Sequence, residues 1–178
     1  MRKVAALLLL IAPLIAACPA NSRFSAAKDE LRWLTPSEAL LAYAKEPRPF
    51  VIDLYTDWCG WCKVMDRETY SNKQVIAYIN KNFYPVKYNA ESKDSLIWNG
   101  RTFNYMAQYR TNEWAVYLTG GRLSYPTTVF LVEPGGQPAP LAGYLKVKEF
   151  EPPLRFFGDG AYKTQNYPTF MKTFSASW

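Results

Sequence analysis

Histidine is absent from all 178 residues. That excludes a Ser–His–Asp triad, a histidine-ligated metal and, with Lys63 following the second cysteine of "WCGWC", a Cys-x-x-Cys-His haem attachment. Cysteine is scarce, with only Cys18, Cys59 and Cys62. A dense stripe of one charge sign is also missing. The net charge is +6, or +4 once Arg2 and Lys3 are removed, and the basic residues are scattered from Arg23 to Lys172 with acids among them. Such a surface does not track phosphates, so no nucleic-acid partner is expected. There is no internal repeat and no low-complexity segment. No apolar run is long enough to span a bilayer, since the longest, from Val4 to Ala17, is about 14 residues.

What is present begins with that run. Two positive charges precede it and small residues follow, which is the pattern of an export signal over residues 1–17. "IAAC" resembles the bacterial lipobox, which implies that Cys18 is lipidated and becomes the new N-terminus, with residues 18–30 as a tether. The chain is then expected in a bacterial cell envelope, on the periplasmic face, held to a membrane (the outer membrane is one candidate) in an oxidising compartment. Lipidation leaves Cys59 and Cys62 as an isolated pair. Residues 31–178 suffice for one domain, expected to be monomeric. With 49% apolar, 20% charged and 16% aromatic residues over the whole chain, the domain's core is expected to lean on Trp, Tyr and Phe.

Local signals outline the elements. "WLTPSEALLAYAKEPRP" reads as a helix with Thr35 as N-cap, Pro36 at its first position, Glu38 closing a capping box, Leu40, Leu41 and Ala44 as its buried stripe, and Pro47 and Pro49 ending it. "FVIDLYT" is a buried strand with Asp53 unusually at its middle. A helix starts at the cysteines, another after Asn72 buries Val75, Ile76, Ile79 and Phe83, and "FYPVKYN" returns as a strand, completing a βαβ unit. Asn99-Gly100 marks a hairpin, and "TNEWAVYLTGG" a short helix capped by Thr111 or Asn112 and stopped by Gly120 and Gly121. "YPTTVFLVEPGGQPAPLAGYL" makes two antiparallel strands around a Pro-Gly-Gly turn. A helix over "KVKEFEPPLRFFGDGAY" follows, with Pro152 and Pro153 in or just after its first turn, and "YPTFMKTF" adds another.

The Cys59–Cys62 pair closes too short a loop to act as an effective staple, because the entropy a disulfide removes grows with loop length. A zinc site would need two further ligands. Reversible redox chemistry suits the spacing: a helix that begins at Cys59 points its free N–H groups and positive dipole end at that sulfur and stabilises a thiolate. Cys59 is the expected nucleophile. Cys62, one turn on, is placed to resolve a mixed disulfide.

From about Trp33 to Phe157 the chain resembles the thioredoxin superfamily, nearest to its exported bacterial thiol:disulfide interchange members. "DLYTDWCGWC", "VKYNAE", "YPTT" and "AGYL" carry the resemblance. It implies an α/β thioredoxin fold, a central mixed sheet flanked by helices, with an inserted hairpin and helix over about 92–124. It also implies a buried acid at Asp53 that takes the proton of Cys62, Lys87 beside that acid, and a cis bond at Tyr125–Pro126 that presents backbone to an extended substrate. Trp58, Gly60, Trp61, Tyr125 and Pro126 are the expected substrate-facing residues. The implied activity is disulfide exchange with protein substrates, fed by an upstream electron donor, with the redox-active disulfide in place of any cofactor. The interior "GW" departs from the "GP" of cytoplasmic thioredoxin and leaves the direction of electron flow open; reduction is the expected one. Two rival readings are a thioredoxin-fold binding module with idle cysteines and a copper(I) metallochaperone.

Overall fold

The computed structural model describes residues 30–178. The export signal over 1–17, Cys18 and all of the proposed tether except residue 30 lie outside the described residues. Helix α1 (Pro36–Lys45) begins at Thr35, whose hydroxyl accepts from Glu38 N–H while the Glu38 carboxylate accepts from Thr35 N–H, so both halves of the capping box form. Its inward face is Pro36, Ala39, Leu40 and Tyr43. The expected stripe was set one residue too far along: Leu41 is 66% exposed and Ala44 faces solvent. Docking of Ala39 against the sheet fixes the helix's rotation, and local apolarity could not reveal that.

Strand β1 (Phe50–Tyr55) is the centre of a four-stranded sheet ordered β2-β1-β7-β8, with β2 (Tyr84–Asn89) parallel to it and β7 (Thr127–Leu131) antiparallel. Strand β8 (Ala139–Ala142) pairs antiparallel with β7 at the edge, where Pro140 sits without breaking an inner ladder. Covered on both faces, β1 reads as a continuous buried run rather than an alternating one. Leu34 adds a single parallel bridge to Val86 beyond β2.

Between β1 and β2 run α2 (Gly60–Met65), a π-turn over Asp66–Tyr70, and α3 (Lys73–Asn82), capped by Asn72 and buried through Val75, Ile76 and Ile79 with Phe83 just beyond. The segment between β2 and β7 holds hairpin β3 (Leu96–Trp98) and β4 (Arg101–Phe103), the two-residue strands β5 (Tyr105–Met106) and β6 (Thr111–Asn112), and α4 (Glu113–Thr119). Asn99 and Gly100 form the hairpin's two-residue turn with φ of 48° and 75°, as a turn of this length requires. Leu96, Trp98, Phe103, Trp114, Ala115 and Leu118 from this segment share one core with Phe50, Ile52 and Leu54 of β1.

A second core on the other face joins Val51, Met65, Tyr70, Phe83, Phe130, Phe150 and Leu154. It rests on α5 (Val147–Gly158), in which Pro152 and Pro153 are buried in the second turn. A short 3-10 turn and α6 (Tyr167–Thr173) follow.

Candidate active site

Strand β1 ends at Tyr55, and the chain turns through Thr56–Trp58 to place Cys59 as the N-cap of α2, with Cys59 N–H donating to the Thr56 carbonyl at 3.1 Å. The Cys62 N–H points back at Cys59 Sγ, 3.0 Å away. The two sulfurs form a disulfide. Both cysteines are nearly closed to solvent, at 4% and 5% exposure, whereas the flanking Trp58 and Trp61 stand out at 67% and 63%. At Gly60, a side chain would meet open space.

Below the pair, Asp53 is 2% exposed in the middle of β1, opposite Lys87 on one side and Thr128 on the other. The parallel register brings Lys87 Nζ to 2.9 Å from Asp53 Oδ2, and Oδ1 has no partner among the described residues. Burial raises the Asp53 carboxyl to about 6, against the opposing pull of the Lys87 charge. Burial lowers the Lys87 pKa, but the Asp53 and Asp66 carboxylates outweigh it and hold the ammonium above the ordinary lysine range. The rings of Trp33, Tyr55 and Tyr70 surround this cation at 5.1, 5.2 and 5.9 Å.

Asp66 is the residue that the sequence reading missed. From the π-turn after α2 its carboxylate also accepts from Lys87 Nζ, so one lysine bridges a buried acid and a more open one. A cavity of about 510 Å³ lined in part by Trp33, Asp66, Tyr70 and Lys87 opens beside this cluster. The available signal was spacing: Asp66 lies four residues after Cys62, on the same side of a helical turn. Tyr70, fully buried, bonds Thr128 through its hydroxyl at 3.1 Å, and burial next to Asp53 pushes that phenol well above its usual range.

The Tyr125–Pro126 peptide is cis. Tyr125 meets Trp58 edge-on at 5.9 Å, and Trp61 stacks on Tyr144 at 5.7 Å and 20°. The Trp58 indole donates to Glu91 at 3.1 Å and the Tyr144 hydroxyl to Glu68 at 2.7 Å, which fixes both aromatic pairs. Between them lies a cleft of about 230 Å³ lined by Trp61, Tyr125, Pro126, Gly143 and Tyr144. Gly143, directly after β8, has a φ of 96° and donates its N–H to the Pro126 carbonyl at 2.8 Å, locking the floor of the cleft. Of the expected residues, Trp58, Gly60, Trp61, Tyr125 and Pro126 therefore lie around the Cys59–Cys62 turn and its cleft, Asp53 and Lys87 pair with each other at the middle of β1 and β2, and Cys18 lies outside the described residues.

A disulfide at a helix N-terminus, a buried acid–lysine pair in the central strands and a cis-proline loop on a four-stranded mixed sheet together define a thioredoxin-fold protein of the thiol–disulfide oxidoreductase class. Solved structures agree on the fold. A thioredoxin from Thermus thermophilus is 24% identical, with a TM-score of 0.52 over 71% of this chain and 85% of its own. A DsbH oxidoreductase is 17% identical, with a TM-score of 0.52 over 90% and 96%. A thioredoxin-fold protein from Helicobacter pylori is 16% identical, with a TM-score of 0.55 over 84% and 89%. Residues 20–152 match the family Thioredox_DsbH, described as a protein of unknown function, DUF255, and the chain belongs to that family. Over 40 residues it is also 40% identical to the thiol:disulfide interchange protein DsbD of Pectobacterium atrosepticum, which is 22% of this chain and 7% of that longer protein.

Proposed function

We propose that the protein reduces disulfides of other proteins in the bacterial envelope, on the periplasmic face, held to a membrane through lipidated Cys18. The observation that carries the reading is the Cys59–Cys62 disulfide at the start of α2, with Cys59 Sγ in contact with the Cys62 N–H and flanked by the cis-proline cleft. In the reduced protein the helix N-terminus favours the Cys59 thiolate. It attacks one sulfur of a substrate disulfide, forming a mixed disulfide and releasing the other sulfur as a thiolate that takes up a proton. Cys62 gives its proton to Asp53 and attacks Cys59 Sγ. The Cys59–Cys62 bond forms, the mixed disulfide breaks, and the second substrate thiol leaves.

An upstream donor then returns two electrons and two protons to the pair, which needs no further cofactor. An ionised Asp53, poised near 6, is available as a base at neutral pH, and Lys87 steadies its charge. An extended substrate strand lies along the backbone of Tyr125 with a side chain in the cleft between Tyr125–Pro126 and the stacked Trp61–Tyr144 pair, and the bare Gly60 leaves the approach to Cys59 clear. The name of the DsbD relative, a thiol:disulfide interchange protein, is consistent with this class of partner.

Equilibration of the pair with glutathione buffers tests the direction. The expected reduction potential lies near the value of about −270 mV typical of thioredoxin; one near about −120 mV would make the protein an oxidant.

A further inference from the structure

Lys87 is one ammonium divided between two carboxylates, and only Asp53 has a task in the exchange reaction. Asp66 reaches the same Nζ from the π-turn after α2, with a side chain 43% exposed against 3% for that of Asp53. The ammonium is held at this branch point by its stem, which leaves β2 opposite Asp53, and by the rings of Trp33, Tyr55 and Tyr70. The cavity of about 510 Å³ opens on the Asp66 side, since Lys87 and Asp66 line it and Asp53 does not. Glu30 is the remaining charged residue in its wall.

Few groups act on Asp53. Lys87 faces it from β2, Asp66 and the Tyr70 phenol from the π-turn, and Tyr55 lies two residues along β1. From β7 comes Thr128, uncharged and bonded to the Tyr70 hydroxyl. On the Val51 face of the sheet, α3 and α5 pack through Val75, Ile79, Phe150 and Leu154 and bring no charge to it. Burial raises both phenols and keeps them neutral, so Lys87 and Asp66 are the two charges that set its behaviour. Burial raises the Asp53 carboxyl, Lys87 opposes the rise, and the negative charge of Asp66 adds to it. An ammonium whose N–H groups are shared also draws on each acid less than one that belongs to it alone. A base that must take a thiol proton works best when its proton affinity lies close to the working pH.

We propose that Asp66 is a positioning residue for the resolving step: by holding part of Lys87, it prevents an exclusive Lys87–Asp53 pair and keeps Asp53 able to accept the Cys62 proton. The inference rests on the exchange reading above, in which Asp53 receives that proton. Asp66 is not among the residues that line the substrate cleft, so its effect falls on the proton step and not on binding.

The test follows the Asp53 carboxyl signal of carboxyl-13C-aspartate-labelled protein by NMR as pH is raised, the signal being identified by its loss in Asp53→Asn. In Asp66→Asn the Asp53 midpoint is expected to fall by about 0.5 or more, and Asp66→Glu to return it toward the parent value. On a Lys87→Met background the same Asp66→Asn change should move the midpoint less than half as far. In insulin turnover, the rise of kcat with pH should move to lower pH in Asp66→Asn while KM stays unchanged. An Asp53 midpoint that is unmoved or raised in Asp66→Asn, or an equal shift with and without Lys87, overturns the proposal. Should Lys87→Met fail to fold, Asp66→Glu decides, and a midpoint that glutamate leaves at the Asp66→Asn value overturns it. A parent chain that reduces insulin with no donor removes the exchange reading and this proposal with it, whereas turnover with an unmoved midpoint overturns the role of Asp66 alone.

Discussion

At the scale of single residues, Asp53 is where sequence, burial and chemistry meet most tightly. A carboxyl that titrates near 6 in the folded chain and near the ordinary 3.8 when unfolded is bound more firmly to its proton in the fold. Its pKa is raised, so its contribution to stability is full below about pH 4 and is lost as pH rises through about 6. Two units correspond to about 3 kcal/mol, an upper figure because Lys87 remains as partner. Asp53→Asn is therefore predicted to exceed the parent protein in stability at pH 7.5 by up to about 3 kcal/mol and to match it near pH 4, measured by urea unfolding at both pH values. An advantage of equal size at both would deny that burial of the charge is its origin. The same substitution should slow release of substrate from the mixed disulfide while sparing its formation, since only the second attack hands a proton to Asp53. Asp53 was legible in the sequence because an acid in the middle of an apolar strand is out of place. Asp66 was harder to find: its spacing from Cys62 is the one local signal, and its partner Lys87 comes from a strand 21 residues further on, met only because the parallel register sets Lys87 beside Asp53 and the π-turn after α2 carries Asp66 over it.

Elements were readable where a local signal is self-sufficient and not where distant packing decides. The Thr35 capping box, the Asn99-Gly100 turn, the Asn72 cap and the Pro-Gly-Gly turn each satisfy backbone groups within a few residues, and each formed as expected. The two-residue strands β5 and β6 carry no such signal. Their position depends on Asn112, whose N–H donates to the Ala90 carbonyl at 2.7 Å while its side chain reaches the carbonyls of Ser92 and Asp94. The buried face of α1 was misjudged by one residue for the same reason, since tertiary docking chose Ala39 over Leu41. Thr35→Ala removes one half of the α1 box and is expected to reduce stability by about 1 kcal/mol, seen as a lowered urea midpoint with an unchanged slope. Trp114 makes a larger contribution. It is fully buried, 4.8 Å from the Tyr88 ring and 5.0 Å from that of Trp98, and links α4 to strands β2 and β3. Trp114→Ala should cost about 3–5 kcal/mol. Because the segment between β2 and β7 shares its core with β1, the loss should appear in the unfolding of the sheet itself; a separate early transition confined to that segment would contradict the shared core.

Across the whole molecule, two cores on opposite faces of one sheet carry the site between them. Met65 ties α2 to the core that includes Phe130 and Phe150, while Trp58 and Trp61 stand exposed beside the disulfide. The rigid parts set the geometry of the sulfurs, and under the proposed function the exposed aromatics are left to meet a substrate segment. The central claim is the asymmetry of the pair: Cys59 attacks and Cys62 resolves. The most direct measurement incubates Cys59→Ser and Cys62→Ser with a disulfide-containing protein such as insulin under mild reduction, alongside the parent chain, followed by non-reducing electrophoresis. The account predicts turnover by the parent chain, a one-to-one covalent adduct that persists only with Cys62→Ser, and neither turnover nor adduct with Cys59→Ser. Equal adducts from both variants, or a parent chain that never reduces insulin with any donor, would contradict it.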